Sequence, residues 1–219
     1  MAFVAAVVVA YLIGGFPTSV VLGRLCRGMD VRQHGSGNAG ATNAWRVLGW
    51  RIGLVVLLLD AAKGAVASTL LPRLAGTASP VPNGVAAVVC GLAAVVGHVY
   101  PIYLRFRGGK GVATGAGMLA ALAPLPVALA VGGFAIVVIA TGWISLGSLV
   151  AAWLVPVFVA VWPSSSDAAS HAVLLGVTAA LAAFLTLTHR ANVRRLLRGE
   201  ERRFPSLQIW RRFVGRKRA

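Results

Sequence analysis

The chain has 219 residues, 58% hydrophobic and 12% charged, with a mean hydropathy of +0.82. Soluble domains are about half apolar and about a quarter charged, so an ordinary soluble fold is excluded and an all-α, polytopic integral membrane protein is expected. The charge is one-sided, 21 Lys and Arg against 5 Asp and Glu for a formal +16; with no zinc-finger spacing or RNA-recognition motif beside it, it reads as basic loops flanking membrane spans and not as a nucleic-acid surface.

The first apolar run, 2–23, starts at Met1 with no basic leader, and its Gly-Gly-Phe-Pro stretch lacks a cleavage pattern. It reads as a retained span. The loop after it, QHGSGNAGATNAWRVLGWRIG (33–53), offers Ser36, Gly37, Asn38, Thr42 and Asn43, with Arg46 ten residues after Ser36. Arginine takes a phosphate through its planar fork while hydroxyls and backbone N–H groups take the remaining oxygens. The competing reading is a solvated loop held by side-chain-to-backbone turns.

A second span, 53–72, contains LLLDAAKGAV, where Asp60 and Lys63 stand three apart on one helix face. Charges inside a span are expensive unless paired, so an ion pair is predicted. The third span, 83–104, ends in GHVYP. His98 there has the chemistry of a general base, but a lone histidine at a span end reads more readily as a hydrogen-bonded structural residue.

Next comes RFRGGKGVAT (105–114). Gly108, Gly109 and Gly111 around Lys110 look like a phosphate cradle, in which glycines let N–H groups converge on an anion beside a point charge. It is no Walker A loop, because Lys110 is followed by Gly111 and Val112 and no hydroxyl is placed for magnesium. A tight turn with a membrane-anchoring cation is the bland alternative. The apolar piece 112–124 is short for a span and fits only if buried among other helices.

Further spans are expected over 126–142, 145–162 and 170–188, which with 112–124 makes about seven. The turn TGWISLGSLV carries Ser145 and Ser148, a residue type that commonly bonds its own or a neighbouring helix. Leaving the last span, THRANVRRLLRGEERRF (188–204) places His189 and Asn192 on one helix face amid arginines. The terminal stretch, with Trp210 and Phe213 among its cations, is expected to lie on anionic lipid headgroups. Cys26 and Cys90 have no metal spacing and are expected to stay reduced.

Orientation follows from the cations. Arg24, Arg27, Arg32, Arg46 and Arg51, then Arg105, Arg107 and Lys110, then the tail 189–219, are expected to be cytoplasmic, and the connections 73–82 and 163–169 to face outward. With seven spans the N-terminus lies outside and the C-terminus inside. Residues 1–219 then form one membrane-embedded domain, with every polar motif at the cytoplasmic face.

In order, GSGNAGATNAWRVLG, LDAAKG, GHVYP with FRGGKGVAT, SLGS and HRANVRRLLRGEERRF resemble the bacterial membrane family of acyl-phosphate-dependent glycerol-3-phosphate acyltransferases, from about residue 11 to about residue 204. The resemblance implies transfer of an acyl group from acyl phosphate to the 1-hydroxyl of sn-glycerol 3-phosphate, giving lysophosphatidic acid and phosphate. This is the first acylation of phospholipid synthesis, at the cytoplasmic face of the bacterial cell membrane. It implies Ser36 and Arg46 as ligands of the phosphorylated substrates, with Lys110 and glycines 108, 109 and 111 holding phosphate. His189 and Asn192 would complete the glycerol-3-phosphate pocket with a serine of SLGS, Ser145 or Ser148, the latter preferred. The chain departs from the family pattern at Ala191, where an acidic residue is common, and at Gly142, where a cation is common.

The residues also bear on mechanism. A His-x4-Asp dyad is absent: the fifth residues after His34, His98, His171 and His189 are Ala39, Tyr103, Gly176 and Arg194. GSGNAG is not a Gly-x-Ser-x-Gly nucleophile elbow with triad partners. An acyl phosphate is already activated, so positioning and charge stabilisation suffice for direct transfer. No cofactor is expected, and no carboxylate pair or His/Cys cluster suggests a metal. Expected partners are the two substrates, membrane lipids and, transiently, the soluble enzyme that makes acyl phosphate. The rival readings are a transporter of a small phosphate ester and a noncatalytic lipid-binding protein.

Overall fold

The computed structural model describes residues 1–74, 83–162 and 168–208. Most of the two connections expected to face outward, and the tail with Trp210 and Phe213, lie outside the described residues. Those residues form helices α1 (Ala2–Gly15), α2 (Thr18–Arg27), α3 (Ala41–Leu48), α4 (Trp50–Leu74), α5 (Asn83–Val99), α6 (Val112–Leu122), α7 (Pro124–Thr141), α8 (Ile144–Val161), α9 (Ala168–Thr188) and α10 (Arg190–Leu197). Three short 3-10 turns join them, and no strand occurs among the described residues. The protein is thus an all-helical, polytopic integral membrane protein. Six segments are long and apolar enough to cross a membrane: Ala2–Arg27, Trp50–Leu74, Gly84–Leu104, Pro124–Thr141, Ile144–Val161 and Ala168–Thr188. Helix α6, the doubtful piece of the sequence, has 11 residues and reaches only about 16 Å against a hydrocarbon core of about 30 Å.

The chain divides into two compact units, Met1–Leu122 and the residues from Ala123 onward. In the first, glycines bring helix backbones together. A Cβ on Gly14 would lie 2.0 Å from the Ala94 carbonyl oxygen, and one on Gly97 2.1 Å from that of Tyr11, so α1 and α5 touch backbone to backbone. Gly64 and Gly117 do the same for α4 and α6, with Cβ positions 1.9 Å from the Thr114 oxygen and 1.8 Å from the Ala61 oxygen. Where lipid is as apolar as the side chains, such close approach supplies the van der Waals contact that holds helices together. Ala6, Ala10, Ala67, Leu71, Cys90 and Ala94 fill the seam between α1, α4 and α5.

The first span is not one continuous helix. It breaks at Phe16 and Pro17, because proline has no N–H and restricts the residue before it. A carbonyl freed within a membrane must find a donor. The Phe16 oxygen finds Lys63 Nζ at 2.5 Å, and Lys63 is bonded at 2.7 Å to Asp60 Oδ1. The predicted ion pair is therefore present, buried, and fastened to the break, where Thr18 Oγ1 also donates to Asp60 at 3.0 Å.

The second unit is built on the α7–α8 hairpin, turned by Gly142 at φ 76°. Trp153 Nε1 donates to Thr186 Oγ1 at 3.1 Å and ties α8 to α9. After α10 the chain folds back over the hairpin turn. Phe204 N donates to the Gly142 oxygen at 2.8 Å, and Trp143 Nε1 to the Glu201 oxygen at 3.2 Å.

Candidate active site

The loop carrying Ser36 is rigid because buried groups hold it from beneath. Asp30 caps the turn Val31–Gln33, accepting Arg32 N at 3.0 Å, and pairs with the same guanidinium through Nε at 3.0 Å and Nη2 at 2.7 Å. Hydrogen bonding and charge from Arg32, with a further contribution from Arg24, outweigh the partial burial and hold the Asp30 carboxyl down at about 2. Asn43, 1% exposed, then fixes the loop itself. Its Oδ1 accepts Ser36 N at 2.8 Å, and its Nδ2 donates to the Val31 oxygen at 2.8 Å and the His34 oxygen at 3.1 Å. Gly35 and Gly37, at φ 64° and 73°, supply the left-handed turns. Ser19 Oγ pins the far end by donating to the Ala39 oxygen at 2.8 Å.

Ser36 and Gly37 are exposed on this frame, and Asn38, Thr42 and Arg46 are half-buried, the last two on α3. Asn43, expected among the substrate ligands, spends its amide on the loop.

The glycine loop is a packed turn. Gly108 N donates to the Val99 oxygen at 3.1 Å and Gly109 N to the His98 oxygen at 3.0 Å, so both N–H groups close the turn onto the end of α5. No larger residue fits: a Cβ on Gly108 would lie 2.1 Å from the His98 oxygen, and one on Gly109 2.0 Å from His98 Nε2. Gly111, at φ 87°, redirects the chain into α6. The outcome is Lys110, half-buried, two residues ahead of the α6 N-terminus. Lys110 thus stands beside the N-terminus of α6, the end of a helix that favours negative charge.

In the second unit His189 ends α9 and precedes α10. It is 3% exposed, with Nδ1 2.8 Å from the Leu185 oxygen. A carbonyl can only accept, so Nδ1 is the donor in that bond. Asn192, 6% exposed, donates to Glu201 Oε1 at 2.7 Å. The same oxygen accepts Ser145 Oγ at 2.8 Å, and Oε2 takes Arg195 Nε at 2.7 Å. Burial alone would raise the Glu201 carboxyl, but hydrogen bonds from Asn192, Arg195 and Ser145, together with the Arg195 charge, bring it below its ordinary range. Ser148 donates instead to Ile144 of its own helix at 2.9 Å. Of the two SLGS serines it is Ser145 that the structure joins to Asn192. Glu201 was not singled out in the sequence, although an acidic residue among so many arginines was a signal in plain sight.

Polar motif segments on a helical membrane scaffold, stiffened by hydrogen bonds to buried groups and carrying hydroxyls and cations, define a polytopic membrane protein with the functional groups of an anion-handling enzyme. The glycerol-3-phosphate acyltransferase family model matches residues 4–199, and the chain belongs to that family. It is 40% identical over 226 residues to the glycerol-3-phosphate acyltransferase of Chlorobaculum tepidum, covering 93% of this chain and 97% of that one. It is 41% identical over 221 residues to that of Chlorobium phaeobacteroides strain BS1, covering 89% and 93%. Among solved structures, PlsY (YgiH), an integral membrane glycerol 3-phosphate acyltransferase, matches in its glycerol 3-phosphate form with a TM-score of 0.82 and 32% identity. Its lysophosphatidic acid form matches at 0.80 and 30%; both alignments cover 96% of this chain and 99% of the other.

Proposed function

We propose that the chain transfers an acyl group from acyl phosphate to the 1-hydroxyl of sn-glycerol 3-phosphate, releasing lysophosphatidic acid and inorganic phosphate. The observation that carries this reading is the match, across nearly the whole chain, to PlsY structures described as a glycerol 3-phosphate form and a lysophosphatidic acid form. Those are the acceptor and the product of the reaction.

In this reading Ser36, Arg46 and Lys110 bind the phosphorylated substrates, assisted by Gly37, Asn38 and Thr42 and by the N–H groups that follow Gly111. His189 and Asn192, with Ser145 drawn to the same carboxylate, bind glycerol 3-phosphate. Acyl phosphate suits a chain without a His-x4-Asp dyad, because its leaving group departs as phosphate and needs no protonation by a strong acid. The hydroxyl attacks the acyl carbon directly, the acyl–oxygen bond to phosphate breaks, and the proton passes to substrate phosphate or to His189. No acyl-enzyme forms. The basic segments face the cytoplasm of a bacterial cell, where the soluble enzyme that makes acyl phosphate is a transient partner.

The test compares donors. Purified protein in detergent should form lysophosphatidic acid from labelled glycerol 3-phosphate with palmitoyl phosphate, releasing one phosphate per product, and form none with palmitoyl-CoA. Product from the thioester alone, or passage of unaltered glycerol 3-phosphate through liposomes with no product, would contradict the reading.

A further inference from the structure

A polar cluster lies beneath the glycine loop, and acyl transfer as described makes no use of it. His98, 8% exposed, stands in the last turn of α5, and its ring is held from two sides. The Nε2 edge rests on Gly109, whose missing Cβ would lie 2.0 Å away. Nδ1 lies 3.9 Å from Asp60 Oδ1, too long for a hydrogen bond but close enough for the carboxylate to orient the ring. Asp60 is fixed in turn by Lys63 and Thr18, and Lys63 by the broken turn at Phe16.

The cluster opens on a small cavity whose wall includes Thr18, Ala39, Asp60, His98, Gly108 and Gly109. Ala39 belongs to the Ser36 loop and the two glycines to the Lys110 loop, so both motif segments border it. Burying a carboxylate, an ammonium and an imidazole inside spans costs several kcal/mol, and an apolar trio would hold the helices at lower cost. Orientation of the loop is what an apolar trio would not supply. Gly109 packs directly on the Nε2 edge, so the ring's closest neighbour on that side is the loop backbone.

We propose that His98, oriented by Asp60, is a positioning residue for the transfer reaction: its imidazole sets the height of Gly109 and so aims Lys110 and the N-terminus of α6 at phosphate. The ring is a spacer of fixed thickness between the Asp60 carboxylate and a backbone with no side chain of its own. The two loop N–H bonds to the Val99 and His98 carbonyls hinge the loop on the residue that sets its height. The proposal rests on Lys110 as a phosphate ligand.

The experiment measures kcat, the Michaelis constants of palmitoyl phosphate and glycerol 3-phosphate, and the inhibition constant of inorganic phosphate, for wild type, His98→Ala, Asp60→Asn and Lys110→Arg. Loss of folded protein lowers kcat and leaves the constants alone, whereas a mis-aimed cradle weakens phosphate binding. His98→Ala is expected to raise the phosphate inhibition constant and one Michaelis constant about tenfold with kcat within about threefold, and Asp60→Asn to shift them in the same direction by less. Should His98→Ala not fold, Asp60→Asn combined with Lys63→Met, which leaves no uncompensated charge in the span, carries the measurement. Unchanged constants in the folded variants, with only kcat reduced, would overturn the proposal. Unchanged constants in Lys110→Arg would overturn it together with the assignment of Lys110, which separates the two failures, since arginine does not replace a lysine point charge silently.

Discussion

Ser145 and Asn192 meet on a single oxygen: Oε1 of Glu201 accepts the serine hydroxyl at 2.8 Å and the asparagine amide at 2.7 Å. A residue 56 positions from Ser145 in the chain thereby links the start of α8 to the first turn of α10. Two hydrogen bonds on one buried carboxylate oxygen set the rotamers of both donors, the supporting interaction that a binding side chain needs to hold its geometry.

Ser145→Ala is accordingly expected to lower kcat/KM for glycerol 3-phosphate by about tenfold or more, through a Glu201 carboxylate that is less firmly held against Asn192, while Ser148→Ala, which only removes a bond to its own helix, stays within about twofold. Initial rates of the two purified variants decide this.

Replacing Glu201 by alanine removes the acceptor that Ser145 and Asn192 share, a loss on the scale of about 1–3 kcal/mol per buried donor. The Arg195 contribution is small by comparison, since that side chain is 40% exposed and screened. A fall in the thermal unfolding midpoint in detergent, with loss of activity, is expected; Glu201→Gln, which keeps an acceptor oxygen, should fall less.

Acid should weaken the fold in a defined window. Asp30 is held at about 2 and Glu201 below its ordinary range, so both bind fewer protons when folded than when unfolded. Their stabilisation is fully present above the unfolded carboxylate values near 4 and is lost as pH falls through the folded ones, roughly 2 kcal/mol in the case of Asp30. Unfolding midpoints measured from pH 7 to pH 3 should decline below pH 4.5, and Asp30→Asn should flatten the lower part of that decline.

The buried pair in α4 predicts non-additivity. Lys63→Met strands the Asp60 carboxylate inside the span and should destabilise by about 3–5 kcal/mol, whereas Asp60→Asn with Lys63→Met leaves no uncompensated charge and should lose less. Thermal midpoints of wild type, Lys63→Met and the double variant in one detergent provide the comparison.

Much of this architecture was legible in the sequence. Apolar runs mark the spans because each must cover a hydrocarbon thickness, and the three-residue spacing of Asp60 and Lys63 announces a pair that the structure contains. The break at Pro17 inside the first run was less visible, since composition averages over it. Roles within the motif segments were hidden for a different reason. Asn43 looks like any polar loop residue until its bonds to Val31, His34 and Ser36 are seen. The N–H groups of Gly108 and Gly109 likewise look available for an anion until they are found on α5 carbonyls. Hydrogen bonds between distant residues leave no local periodicity, and Glu201 escaped notice on that account. Yet three of the five carboxylates in the sequence, Asp30, Asp60 and Glu201, each brace a motif segment, a pattern that scarcity of acid in so basic a chain could have suggested.

The most direct test of the acyl-transfer account incubates purified wild-type protein and Lys110→Ala with palmitoyl phosphate and labelled glycerol 3-phosphate, with the folded state of each verified by monodisperse elution. The account predicts lysophosphatidic acid and phosphate in equal amounts from the wild type and a loss of at least about a hundredfold in the variant, the scale of removing a preorganised charge-stabilising group. Near-normal turnover by folded Lys110→Ala, or no product from a wild-type preparation that binds glycerol 3-phosphate, would contradict it.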